Sequence, residues 1–383
     1  MNIIAIIDWV VFVILALCAG YLLFYAIASL FYCDETYATT ESRQRFLVLF
    51  PAYAEDGVIV HAVETFLQQD YPQEFYHVVV ISDHQQETTN AALRMLPVTT
   101  LIATYDNSSK AKALTFAIDS VEGDFDTVVV LDADNLAPSN FLSELNKIRH
   151  SGAQAIQVHR KGLIGQTGVS LLDALSEEVN NAFFRKGHQA VHLSSALTGS
   201  GMAFDYHWFA ANIRRAVTAG EDKELEAMLL KQRIKVTYVD ELYVWDKKTD
   251  RSEAMGNQRK RWIAAQFHTM TASLPDFFNA LFTGNMSYAD KILQWMLPPR
   301  LIQLALIFGL TLIILIIYPS AAVKWVILSL AQIAAMILPL PKEYRTKGVL
   351  KAFALLPAIT WRMFVNLFHL RGASSKFIHT KHT

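Results

Sequence analysis

The chain has 383 residues, of which 52% are hydrophobic and only 18% charged, more apolar than a purely soluble enzyme of that length. Its 34 Lys and Arg balance 35 Asp and Glu, a formal net charge of −1, which removes the electrostatic footing that nucleic-acid binding needs. The two cysteines, Cys18 and Cys33, offer neither a disulfide framework nor a metal-ligand spacing, so the redox compartment stays open.

The apolar excess is uneven. It gathers at the N-terminus and in the last third, around a polar middle of ordinary composition. Trp9 to Cys33 carries no charge, and about 20 such residues cross the hydrocarbon core as a helix. A cleaved leader would need basic residues before the run and a small-residue site after it. No Lys or Arg precedes Trp9, and Tyr21 to Tyr25 continue the hydrophobicity, so a retained helix is expected.

From Arg43 to Asp134 short β-rich runs alternate with helical stretches. Phe46–Phe50, Val78–Ser82, Leu101–Thr104 and Val128–Leu131 read as strands; Val58–Gln69 and Lys110–Val121 have helical periodicity. Such alternation predicts a Rossmann-like α/β domain with a mostly parallel sheet and ligand sites at the carboxyl ends of its strands. Polar residues stand at those ends: Pro51-Ala52-Tyr53, Asp83 and Asp132. Tyr53 also reads as a core residue.

Beyond Pro298-Pro299-Arg300, the uncharged runs Leu301–Val323 and Trp325–Pro341, broken at Tyr318-Pro319-Ser320, predict a membrane hairpin. Arg300 before it, and Lys342, Arg345 and Lys347 after it, put both ends on the cytoplasmic side. Lys324 near the turn is expected to snorkel. In the last apolar stretch, Gly348–Leu370, the residues Lys347, Lys351, Arg362, Asn366 and His369 share one arc of a helix. That stripe suits an amphipathic helix in the cytoplasmic membrane surface, with Phe353, Ile359 and Phe364 toward lipid, better than a spanning one. The basic tail Lys376 to His382 would follow on the same side.

Asp132-Ala133-Asp134 after the apolar run Val128–Val130 places two carboxylates where they can share Mg²⁺ or Mn²⁺ with a diphosphate. Alone, the pair reads equally as turn-forming aspartates. Gly220-Glu221-Asp222 opens a helix running to Arg233, where carboxylates also serve as caps. Gln258-Arg259-Lys260-Arg261-Trp262 on a later helix also reads as a solvated basic face. Taken in order, Asp83, Asp132-x-Asp134, Glu221-Asp222 and Gln258-x-x-Arg261-Trp262 closely resemble the D, DxD, (T/G)ED, QxxRW signature of membrane-embedded family 2 glycosyltransferases, the group of cellulose, chitin, hyaluronan and poly-N-acetylglucosamine synthases. Phe50-Pro51-Ala52-Tyr53-Ala54-Glu55 resembles the family's Pro-Ala-Tyr-Asn-Glu, with Ala54 for Asn. Ser109-Lys110-Ala111-Lys112-Ala113-Leu114 resembles its Gly-Lys-Ala-x-Ala-Leu, with Ser109 for Gly. Thr198-Gly199-Ser200-Gly201 looks like the segment beside the acceptor.

The resemblance implies a GT-A (Rossmann-like) domain that transfers sugar from a UDP-sugar with inversion. Pro51, Ala52, Tyr53, Glu55, Asp83, Lys110, Asp132 and Arg261 would bind the donor, Asp83 reading the uracil. Asp134, helped by Asp132, would hold the metal. Asp222, with Glu221, would be catalytic, and Gly199, Ser200, Gly201, Gln258 and Trp262 would face the acceptor. That acceptor is a growing β-linked polysaccharide or, alternatively, a lipid-linked one. A polymer path through so few helices would call for self-association or an export partner. A non-catalytic nucleotide-sugar binder on the same fold is the remaining alternative. The expected layout is a transmembrane helix (1–34), catalytic domain (35–270), interfacial helices (271–299), transmembrane hairpin (300–341), and amphipathic helix with basic tail (342–383). Three other groups read as bland: His159-Arg160-Lys161 as a solvated basic edge rather than a phosphate contact, His188 and His192 as histidines without an acidic partner rather than a metal pair, and Trp295, Phe308 and Trp325 as interfacial belt and packing rather than a sugar track.

Overall fold

The computed structural model describes residues 3–163, 167–247, 252–344 and 353–367, without the side chains of a few residues, among them Gln258. Seven strands form one sheet in the order β3-β2-β1-β4-β6-β5-β7. They are β1 (Phe46–Tyr53), β2 (Tyr76–Asp83), β3 (Thr99–Ala103), β4 (Thr127–Val130), β5 (Ala155–Leu163), β6 (Met202–Asp205) and β7 (Val236–Lys247). β1 pairs in parallel with β2 and β4, and β2 with β3. β6 then runs antiparallel to both β4 and β5, while β7 is parallel to β5.

The expected strands thus form within three residues of their predicted bounds. β1 shows why it lies centrally. Phe46, Val48 and Phe50 enter one core with Val63, Phe66 and Phe141, whereas Leu47 and Leu49 enter the other with Leu114 and Phe204. Burial on both faces requires a continuous apolar run rather than an alternating one. The covering helices are α2 (Ile59–Phe66), α3 (Glu87–Arg94), α4 (Lys110–Ser120) and α5 (Phe141–His150), followed by α6 (Gly168–Asn181), a π-helical segment Ala182–Gly187, α7 (His188–Ala190), α8 (Tyr206–Asn212) and α9 (Glu221–Lys231).

Around this body stand the apolar helix α1 (Ile3–Ser29), the long α10 (Ser252–Ser273), α11 (Phe277–Phe282), α12 (Met286–Met296), the pair α13 (Arg300–Ile317) and α14 (Ala322–Ile337), and α15 (Leu356–Leu367). Among the described residues three helices are long and apolar enough to cross a membrane: Ala5–Ser29, Arg300–Ile317 and Pro319–Ile337. The first begins before Trp9 and so includes Asp8. Lys324 does not snorkel: its ammonium pairs with Asp8 and sits 3.8 Å from the Trp9 ring centroid. Trp325 Nε1 donates to the same carboxylate at 2.8 Å. One charge on each helix satisfies the other, so neither has to reach water.

α1 also ties the apolar helices to the sheet domain. Its lower half, Leu22 and Ala26, packs on Val179, Phe183 and Ala335. His188 has the acidic partner that the sequence hid: its Nε2 lies 2.8 Å from Asp290, and its ring stacks on Tyr25 at 3.8 Å. Trp295 and Trp325 are buried packing residues, and Phe308 is exposed. Ile359 packs toward Leu172, Leu175 and Tyr344 instead of outward, whereas Trp361 and Phe364 on the same helix are exposed. Arg345, Lys347, Lys351 and the basic tail lie outside the described residues, as does the His369 end of the predicted stripe.

Candidate active site

The carboxyl ends of β1, β2 and β4 open into a cleft of about 210 Å³. Pro51, Ala52, Tyr53, Glu55, Asp83, Lys110, Asp132, Asp134, Gly199, Glu221, Asp222, Arg261 and Trp262 all line it. The structure therefore brings together residues scattered over more than half the chain. Tyr53 is half-buried in that lining rather than a core residue. Ser200 and Gly201 lie just behind it, and the side chain of Gln258 is outside the described residues.

Lys110 is the hub. Ser109 caps α4, its hydroxyl accepting from Lys112 N–H, which leaves Lys110 as the first helical residue, pointing into the cleft. Its Nζ donates to Asp132 Oδ1 and to Gly199 O at 2.5 Å, and stands 4.0 Å from Glu221 Oε1. The Asp132 backbone N–H donates to Ser200 Oγ at 2.9 Å and to Asn135 Oδ1 at 3.0 Å. Ser200 and Asn135 are themselves hydrogen-bonded. Behind them, buried Gln157 accepts from Thr198 N–H at 2.9 Å and donates to Ser200 O at 2.9 Å. Gly199 and Gly201 have φ of +86° and +63°, and a Cβ on Gly201 would meet Val158 at 2.8 Å. These two positions accept little but glycine.

The local electrostatics follow from that crowding. Burial works against charge on Asp132, yet Lys110 and Arg160 outweigh it and hold the carboxyl below its ordinary value. Burial pushes Glu221 up to about 7, opposed by Lys110 and assisted by Asp222. Glu55 is pushed up to about 9, by burial first and then by Asp134, Asp132 and Asp56. Asp83 ends β2 almost fully buried, and His84 Nδ1 lies 2.6 Å from its Oδ1.

Arg160 is the largest surprise. It is no solvated edge: its Nε donates to Asp246 Oδ2 at 2.7 Å, its Nη2 to the same oxygen at 2.5 Å, and its Nη1 to Thr198 O at 3.3 Å. Burial opposes its charge, but Asp246, Glu177 and Asp132 more than compensate, and its pKa rises well above the ordinary value. His159 is likewise buried, between Glu178 and Asp240. The β5–β7 register slips at this point, Val158 pairing with Val239 but His159 with Tyr243, so residues 240–242 of β7 are looped out, and local sequence carries no sign of it. Asn135, which directly follows the Asp-x-Asp pair, was the one missed residue within reach of motif reading.

A divalent cation fits here. Among the described residues no group of three or more His, Cys, Asp or Glu is placed to hold a metal. Asp132 and Asp134 would nevertheless supply the one or two hard oxygen ligands that Mg²⁺ or Mn²⁺ takes when substrate phosphates complete the shell. The Lys110 ammonium against Asp132 shows that positive charge is stabilised at that spot.

The sequence profile described as "Glycosyltransferase like family 2" matches residues 43–265. That is more than half of the chain, which belongs to this glycosyltransferase family. Among solved structures, the mannosyltransferase PcManGT from Pyrobaculum calidifontis, in complex with GDP-Man and Mn²⁺, is similar over 93% of this chain and 99% of its own. Its TM-score is 0.57 at 18% identity. TarS (residues 1–349) from S. aureus, in complex with UDP-GlcNAc, covers 85% of this chain and 90% of its own, with TM-score 0.44 and 12% identity. Among curated proteins none matches the chain in sequence. The mixed seven-stranded sheet is thus a GT-A-like glycosyltransferase fold, flanked by three apolar helices.

Proposed function

We propose that the chain transfers a sugar, with inversion, from a nucleoside-diphosphate donor to an acceptor hydroxyl at the cytoplasmic face of a membrane. The observation that carries this is the single cleft in which Lys110, Asp132, Asp134, Glu221, Asp222, Arg261 and Trp262 converge. Asp222 takes the proton from the attacking hydroxyl. The oxygen bonds to the anomeric carbon as its bond to the donor phosphate breaks, and the nucleoside diphosphate leaves. Arg261 steadies that leaving charge, and Lys110 keeps Asp132 ionised. Trp262 offers an apolar face to a sugar ring. A Mg²⁺ or Mn²⁺ held by Asp134 and Asp132 would add Lewis-acid neutralisation of the diphosphate. PcManGT holds GDP-Man with Mn²⁺, which supports a metal-assisted nucleotide-sugar donor. UDP is the nucleotide read from Asp83.

The QxxRW-like segment favours a growing polysaccharide as acceptor. One structural observation favours the lipid-linked alternative: Asp222 and Trp262 also line a second, largely apolar cavity whose wall includes Leu22, Met336 and Ile337.

Membranes carrying the protein should release UDP from one of UDP-glucose, UDP-N-acetylglucosamine or UDP-galactose, with GDP-mannose as the competing donor. Asp222→Asn should cut transfer by about 10²–10⁴-fold, the usual cost of losing a general base, while nucleotide affinity stays within about threefold. Turnover above about a tenth of the parent rate would remove Asp222 as the base.

A further inference from the structure

Behind Asp222 and Trp262 the second cavity extends over about 320 Å³. Leu22 of α1, Met336 and Ile337 of α14, and Leu356 and Ile359 of α15 give it an apolar wall. Two of those helices are apolar enough to lie in a bilayer. A cavity for hydrocarbon alone needs no charge, yet Arg185, Arg259 and Arg300 also line this one.

Arg185 is 5% exposed. Its Nη1 donates to Glu177 Oε1 at 3.2 Å and to Asn181, while its buried Nε has no hydrogen-bond partner among the described residues. Arg300 reaches in from the first residue of α13. Its Nη2 donates to Ser176 O at 3.3 Å and Ser176 Oγ at 3.2 Å, and its guanidinium lies 5.6 Å from the Phe183 centroid. Among the described residues the buried Nη1 of Arg300 has no acceptor, and Glu177, the carboxylate whose charge acts on this arginine, is held by Arg185. Unmet N–H groups on a buried cation are costly, and the two arginines that carry them, from separate elements, line one cavity. The carboxylates of the wall do not answer them: Glu177 is taken by Arg185, Glu226 by Lys291 at 3.0 Å, and Asp222 lies toward the donor cleft.

We infer that this cavity seats an acceptor lipid whose head carries phosphate or diphosphate. Arg185 and Arg300, with Arg259 beside them, take the anionic oxygens, since guanidinium and phosphate match in charge and geometry. The hydrocarbon tail leaves along Leu22, Met336 and Ile337 toward the bilayer. The inference rests on the glycosyl-transfer reading and names the class of its acceptor. In the reaction, a hydroxyl on the lipid's head group attacks the anomeric carbon, its proton passes to Asp222, and the nucleoside diphosphate departs with the bonding electrons. The phosphate on the arginines is bound and unchanged.

Binding to the full chain in detergent micelles tests this with four probes: dodecyl phosphate, dodecanol, inorganic phosphate and UDP. Dodecyl phosphate should bind at least about tenfold tighter than dodecanol or inorganic phosphate, the value of one charge-assisted contact. Arg300→Gln and Arg185→Gln should each abolish most of that preference, leaving dodecanol and UDP binding within about twofold. Arg300→Lys should restore part of it. Equal binding of dodecanol would mean a merely apolar cavity, and equal binding of inorganic phosphate a free-anion site; either overturns the inference. So does an unchanged preference in Arg300→Gln, which decides the matter if Arg185→Gln fails to fold. Loss of UDP binding in the unaltered chain would overturn the transfer reading itself, and this inference with it.

Discussion

Asp132 and Asp134 illustrate how neighbours divide the work of a motif. Asp132 is engaged by Lys110, so under the proposed function the metal would fall chiefly to Asp134. Asp134→Ala should abolish divalent-dependent transfer, and EDTA should do the same to the parent protein. Full activity in EDTA would refute that role. His159 is a second residue whose setting has a measurable consequence. Burial opposes its charge, but Asp240 at 2.9 Å and Glu178 at 3.1 Å raise its pKa from 6.5 to about 9. A raised imidazole contributes stability that is complete below pH 6.5 and lost as the pH climbs through about 9. Asp240 works on the acid side: burial would raise it, but His159 and Lys186 hold it low, so its contribution is present above 3.8 and lost at lower pH. The thermal midpoint should therefore fall between pH 6.5 and about 9, and His159→Gln should flatten that decline. An equally steep decline in the variant would show that other groups cause it.

At the scale of elements, glycine sets two close approaches. A Cβ on Gly187 would lie 2.4 Å from the Tyr25 carbonyl oxygen, so the π-helical segment lets α1 dock backbone to backbone. A Cβ on Gly220 would lie 2.4 Å from Ala265 Cβ. There the start of α9, with Glu221 and Asp222, touches α10, which delivers Arg261 and Trp262. Gly220→Ala should push the two helices apart and lower kcat by about 10²-fold, the usual consequence of displacement by about 1 Å. Adding Ala265→Gly should recover much of that loss, because it vacates the contested space. If the double variant is no better than the single, steric separation is not the cause.

For the whole molecule, the link between α1 and the α13–α14 pair rests on Leu15, Ala19, Ile307, Trp325 and Leu328, with the Asp8–Lys324 pair beside them. Removing one partner of a shielded ion pair strands the other, whereas removing both can be nearly neutral. Asp8→Asn and Lys324→Met should each destabilise the protein in detergent by up to about 3 kcal/mol. The double variant should return close to the parent. Additive losses would mean that the two charges do not depend on one another.

The parts legible in the sequence are those set by local pattern. Continuous apolar runs marked β1 and β4, periodicity marked α4, and uncharged length marked the three apolar helices, because strands and helices impose their own spacing on side chains. Asp83, Asp132, Asp134, Glu221 and Asp222 stood out through their order along the chain, and they meet in one cleft. Ala54 shows the limit of such reading. It sits at φ 50°, with its N–H donating to Asp83 O at 2.9 Å; the motif it resembles has Asn there, a residue that tolerates this backbone better. Only the tertiary structure decided the rest: the antiparallel β6 between β4 and β5, the register slip between β5 and β7, the pairing of Arg160 with Asp246, the meeting of Asp8 with Lys324, and the inward turn of Arg300. Each joins residues far apart in the chain through pairing or charge compensation. Such contacts depend on how elements close over one another, and neither composition nor periodicity records that.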